Sequence, residues 1–140
     1  MSAENKAVVR RVLEGLNHGN LDDAASVLAP DYVWHGPGPD VHGPAGWKQL
    51  AAMYLSAFPD LVMTIDDQIA EGDRVATRYT ARGTHRGELA GVAASGRYVT
   101  VPCLSIERVV DGKVVESFEV FDQLGMFATI GTLPALSAAV

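Results

Sequence analysis

A chain of 140 residues that is 48% hydrophobic and 20% charged has the balance of a globular protein and not of a disordered one. Its net charge of −6 and its lack of any lysine- or arginine-rich block exclude a broad basic surface, so neither nucleic acid nor a membrane is expected as a partner. A single cysteine, Cys103, rules out an internal disulfide framework or a cysteine-built zinc site.

From Ala3 to His18 the residues Val8, Val9, Val12, Leu13 and Leu16 recur at helical spacing, and Gly19 is a natural stop. The same segment carries Glu4, Lys6, Arg10 and Arg11 and no long apolar core, so it does not read as a secretory signal. With no stretch long enough to cross a bilayer, a cytoplasmic location is expected. Asn20 can cap a second, short helix in which Leu21, Ala24, Val27 and Leu28 supply buried contacts. Pro30 interrupts it, and Asp31 to His35 reads as a short strand before the loop Gly36-Pro37-Gly38-Pro39. A third helix starts near Pro44, with Trp47, Leu50, Tyr54 and Phe58 along one side. That stripe reads as the face packed against a sheet, and a subset of it could also wall a ligand cavity.

Beyond Phe58-Pro59-Asp60 the period changes to that of strands. Leu61, Met63, Ile65 and Ile69 share a face with Asp67, and Glu71-Gly72-Asp73 turns the chain into Val75, Thr77, Tyr79 and Ala81. Gly83 to Gly96 is glycine-rich and is expected to connect two long strands at the rim of the sheet. Pro102 lacks a ladder donor and requires an edge, a bulge or a strand start. Val99 to Val110 and Val114 to Asp122 alternate on either side of Asp111-Gly112-Lys113, a strong hairpin signal. Counting back from Asp122 puts Val120, Phe118, Glu116 and Val114 on its face. If that face points inward, a carboxylate stands beside an apolar cavity. Three helices followed by a meandering antiparallel sheet give an α+β layered architecture in one domain, 1–140, with 132–140 as a flexible tail.

The run Glu119-Val120-Phe121-Asp122-Gln123-Leu124-Gly125-Met126, continued through Ile130-Gly131, resembles the terminal motif of the SnoaL-like polyketide cyclase family. In the same order, so do Phe58-Pro59-Asp60-Leu61, Glu71-Gly72-Asp73-Arg74-Val75, Gly83-Thr84-His85-Arg86-Gly87, Gly96-Arg97 and the hairpin Asp111 to Glu116. The resemblance covers Val8 to Gly131. It implies a cone-shaped fold of the nuclear-transport-factor-2-like kind, a curved antiparallel sheet packed against N-terminal helices, commonly assembled as a homodimer. It also implies polyketide ring closure by intramolecular aldol addition, without a metal or redox cofactor. Asp122 matches the aspartate given acid/base work in the family, and His35 and His85 fall where residues face or border the cavity. Phe118 stands where the family often has tryptophan, and Met126-Phe127-Ala128-Thr129 replaces a commoner leucine- and glutamine-rich run.

Aldol closure needs a base beside one carbonyl and a donor for the charge developing on another. A carboxylate desolvated by an apolar cavity has a raised pKa and suits the first task near neutral pH. On this reading Asp122 is the base, His85 donates to the developing alkoxide, and His35 orients substrate or a water. Trp34, Trp47, Leu50, Tyr54, Met63, Tyr79, Phe118 and Val120 then wall the site for a hydrophobic, carbonyl-bearing small molecule. The competing reading makes Asp122 a helix cap that satisfies amides near Gly125. Hydrolysis, dehydration and non-catalytic ligand binding are the alternative functions. No cofactor or metal is expected, since His35, His42 and His85 lack a ligand spacing. Cys103 reads as a small buried residue.

Overall fold

A computed structural model describes residues 2–131, so the expected tail at 132–140 lies outside the described residues. Along the chain come α1 (Ser2–Asn17), α2 (Leu21–Ala25), β1 (Leu28–His35), β2 (Val41–His42), α3 (Gly43–Ala57), β3 (Val62–Glu71), β4 (Arg74–Thr84), β5 (Tyr98–Val110), β6 (Lys113–Phe121) and α4 (Gln123–Ile130). The strands make one six-stranded sheet in the order β2-β1-β6-β5-β4-β3. Strands β3 to β6 form an antiparallel meander, as expected, while β1 joins β6 in parallel. The helices supply Val9, Leu16, Trp47 and Ala51 to a core whose sheet side includes Tyr32, Val75, Tyr79 and Val101. No described helix is long and apolar enough to cross a membrane.

Local chemistry sets the boundaries. Asn20 caps α2 by accepting from the Asp23 amide at 3.2 Å. At the other end of the chain, α4 adds to the three expected helices and begins at the cap that the competing reading of Asp122 foresees. Asp122 caps it by accepting from the Gly125 amide at 2.9 Å, and Gly131 closes it with φ 93°. Pro102 sits inside the central strand β5, not at an edge. Its carbonyl accepts from the Asp122 amide just past the end of β6, so its missing donor faces the place where the neighbouring ladder stops.

Strands β4 and β5 alternate inward and outward without interruption. Strands β3 and β6 do not, because each contains a bulge. In β6, Val114 pairs with Val109 and Glu116 with Arg108, which leaves Val115 as an extra residue. One extra residue reverses every side chain beyond it. Val114 points inward, but so then do Ser117, Glu119 and Phe121, while Phe118 (52% exposed) and Val120 (64% exposed) point out. This corrects the expected inward face of Asp122, Val120 and Phe118. The bulge between Ile65 and Asp67 acts likewise: Met63 and Ile65 pack on the core, and Ile69, expected beside them, is 65% exposed.

Candidate active site

Between the helices and the inner face of the sheet lies a slot of two chambers, about 100 Å³ and about 70 Å³, which share Met63, Tyr79 and Glu119. The first chamber has an apolar roof that includes Leu16 from α1 and Trp47 and Leu50 from α3. Its floor is polar: Tyr32, Ser105, Glu107, Ser117 and Glu119. Register explains that floor. Ser105 pairs with Glu119 and Glu107 with Ser117 across β5 and β6, so the two carboxyls sit on a diagonal with a serine beside each. The second chamber is apolar apart from Glu119 and tyrosine hydroxyls, with Tyr54, Phe58, Val101, Phe121 and Met126 among its walls.

Glu119 is the ionisable group common to both chambers apart from the Tyr79 phenol. Burial pushes its pKa up to about 7, against a hydrogen bond from Trp34 that favours the charged form. The indole Nε1–H donates to Glu119 Oε1 at 3.2 Å. Gly36 gives the indole its room, since a Cβ at that position would run into the Trp34 ring. Glu107 is also raised by burial, with hydrogen bonds from Ser105 and Ser117 opposing the shift. Tyr32 donates to Ser117 Oγ at 2.8 Å, which orients the serine hydroxyl proton toward other acceptors. Burial, and then the charge of Glu107, push the Tyr32 phenol up as well. Among the described residues no lysine, arginine or histidine lines either chamber. The described lining thus supplies no cation to hold both carboxyls ionised.

The expected wall residues divide cleanly. Trp34, Trp47 and Leu50 line the first chamber, Tyr54 the second, and Met63 and Tyr79 both. Phe118 and Val120 lie on the opposite face of the sheet. The three residues expected to do chemistry are not brought together. Asp122 is exposed at the start of α4 and lines neither chamber, because β6 ends one residue earlier and its carboxylate turns back to the Gly125 amide. His35 belongs to the outer face, where its ring stacks on Phe118 at 4.6 Å. Its Nε2 meets Glu116 at 2.8 Å and its Nδ1 meets Asp40 at 2.9 Å, and these two bonds raise its pKa. His85 is fully buried against Phe58, outside both linings. The Ser95 amide donates to its Nδ1 at 3.1 Å, so the neutral ring carries its proton on Nε2, a buried atom with no partner among the described residues. The histidine pins the 85–97 connection instead of facing the slot.

Glu119, Glu107, Ser105, Ser117 and Tyr32 are the residues that sequence reasoning missed. The signal was present in Ser105 and Glu107 alternating with Leu104 and Ile106. An ordinary amphipathic strand puts the serine and glutamate in water. Here the polar set points in and the apolar set out. Cys103, in the second chamber, is a thiol whose pKa burial pushes up to about 12, which suits a packing role. Among the described residues no cluster of His, Cys, Asp or Glu is placed to hold a metal ion.

Residues 6–130 match the family model described as SnoaL-like polyketide cyclase. The chain is 28% identical over 128 residues to the aklanonic acid methyl ester cyclase DnrD of Streptomyces peucetius, covering 89% of this chain and 88% of that one. It is 29% identical over 134 residues to the aklanonic acid methyl ester cyclase AcmA of Streptomyces galilaeus, covering 92% of each. Among solved structures, AclR from Streptomyces galilaeus, proposed as a hydroxylase, superposes with a TM-score of 0.86 at 34% identity, covering 96% of this chain and 100% of that one.

Proposed function

This chain belongs to the SnoaL-like polyketide cyclase family, and we propose that it is a cofactor-independent acid/base enzyme acting on a hydrophobic, carbonyl-bearing, polyketide-like molecule. The observation that carries the reading is the position of the Glu119 carboxyl, buried where the two chambers meet, a burial that pushes its pKa up to about 7. A base with that pKa is ionised often enough to act at neutral pH and strong enough to take a proton beside a carbonyl. In the cyclisation, Glu119 removes a C–H proton and the electron pair passes into an enolate. The enolate carbon then attacks a second carbonyl of the same molecule, and the proton returns from Glu119 to the new alkoxide. The bond count balances with no oxidant or reductant, and the product is an isomer of the substrate.

Aklanonic acid methyl ester is the first compound to try, because it is the substrate in the names of DnrD and AcmA. Conversion to a product of unchanged mass, lost in a folded Glu119→Gln variant, supports the proposal. Full turnover by that variant on any substrate of the native protein removes it. The likeness to AclR favours a second reading. The same carbanion adding to dioxygen instead of to an internal carbonyl would give a hydroperoxide heavier by two oxygen atoms, and mass spectrometry separates the two.

The partner expected on the outer face of the sheet is a second copy of this chain. Leu104 pairs with Val120 and Ile106 with Phe118 across β5 and β6, and all four are exposed. Such a contiguous apolar patch supports self-association through the sheets. Light scattering of the native chain against Phe118→Glu tests it: a dimer that becomes a monomer is the expected result.

A further inference from the structure

The first chamber holds a second carboxyl that the proton abstraction above does not use. Glu107 is 8% exposed, lies diagonal to Glu119 on the same inner face, and shares the first chamber with it. Two carboxyls in one apolar chamber without a lysine, arginine or histidine cannot both be ionised at modest cost. One must keep its proton, and the structure distinguishes the two. Glu119 has the indole N–H of Trp34, a group that can only donate and so favours a carboxylate. Glu107 is the more deeply buried of the two, and burial raises its pKa; the hydrogen bonds it receives from Ser105 and Ser117 oppose that shift, but the carbonyl oxygen of an acid can accept them as well.

We propose that Glu107 works as a carboxylic acid, its O–H donating a hydrogen bond to the substrate oxygen on which negative charge develops while Glu119 takes the proton. The proposal rests on Glu119 being the base. In the aldol reaction the receiving oxygen is that of the enolate; Glu107 keeps its proton throughout and only shares it. By donating to Ser117, Tyr32 turns the serine proton toward Glu107, whose carbonyl oxygen can accept it and leave the acid O–H for the substrate. A donor aimed at developing charge in a dry site acts on the transition state more than on the bound substrate, so its loss falls on kcat and not on KM.

The probe is 5-nitrobenzisoxazole, a flat carbon acid small enough for the slot. Base removes its ring C–H, that electron pair completes a nitrile, the N–O bond breaks, and the oxygen leaves as a coloured phenolate. Glu107→Leu is expected to lower kcat on the order of 100-fold, and Glu107→Gln, which keeps a donor and cannot ionise, by less than about fivefold. Glu107→Leu with native kcat overturns the proposal, as does Glu107→Gln falling as far as Glu119→Gln. Glu119→Gln with native kcat removes the proposed base while leaving the Glu107 results legible by themselves. A titration that needs neither turnover nor a stable Glu107→Leu decides independently. With ¹³C-labelled glutamate carboxyls assigned through the two glutamine variants, the native Glu107 signal is expected to be that of an acid at neutral pH. A Glu107 carboxyl already ionised there overturns the proposal.

Discussion

Trp34 and Glu119 come from opposite ends of the chain, and the indole of one donates to the carboxylate of the other at 3.2 Å. The contact depends on the parallel pairing of β1 with β6, which sets Trp34 opposite Ser117, two residues before Glu119. It also depends on Gly36, whose bare Cα lets the indole lie flat against the turn of chain that follows β1.

Trp34→Phe keeps the ring and deletes the donor. A hydrogen bond to an ionised group contributes about 1.5–3 kcal/mol, so its loss should raise the midpoint of the pH–rate profile by roughly one to two units. The profile on 5-nitrobenzisoxazole measures this. A midpoint that stays near 7 would mean that the indole does not touch the working carboxylate.

The same carboxyl makes stability depend on pH. Its folded pKa of about 7 lies above the ordinary value of 4.5, so the folded state binds the extra proton between those values. Stability from this group is therefore greatest below about 4.5 and falls as pH rises through 7, by on the order of 3 kcal/mol in total. Glu119→Gln should be more stable than the native chain at pH 8, with the difference shrinking toward pH 5. Denaturant melts at the two pH values read it directly.

Asp122→Ala should cost about 1 kcal/mol by removing the cap of α4, and Asp122→Asn much less, since asparagine caps as well. Both should retain probe turnover within a few-fold of native. A folded Asp122→Asn without activity would restore Asp122 as a participant in the chemistry.

His35, held between Glu116 and Asp40, has a raised pKa, and the sign of its effect is opposite to that of a depressed carboxylate. Its stabilisation is complete below the unfolded value of about 6.5 and is lost as pH climbs through the higher folded value. Thermal melts of native and His35→Asn chains should converge as pH rises past that point. Imidazole proton NMR should place the titration above 6.5, and a value below it would disprove the pairing.

The layered α+β fold was legible because β4, β5 and α1 carry uninterrupted periods and Asp111-Gly112-Lys113 marks its turn without ambiguity. The slot was half legible. Trp47, Leu50, Tyr54 and Tyr79 are apolar or aromatic at the right phase, and burial follows phase wherever no bulge intervenes. The expected inward face of Asp122 failed for a narrower reason. Asp122 and Glu119 are both acidic and three residues apart, so which of them faces the slot depends on strand phase. Val115 shifts that phase, and no residue type announces a bulge of this kind. His85 could not have been placed either, because its position depends on Ser95 returning from the far side of the 85–97 connection.

Val115 thus acts as a spacer that decides which of two alphabets faces which medium. Were β6 to run straight, with Val115 taken into the ladder, Phe118 and Val120 would enter the slot and Glu119 would turn out to water, with composition unchanged. Such a chain would have an oilier interior and a wetter exterior, and by burial alone would look the better-folded protein. It would also be chemically blank. The inversion that leaves carboxyls inside and Phe118 and Val120 outside is a handicap for stability, and the same inversion is what makes the slot reactive.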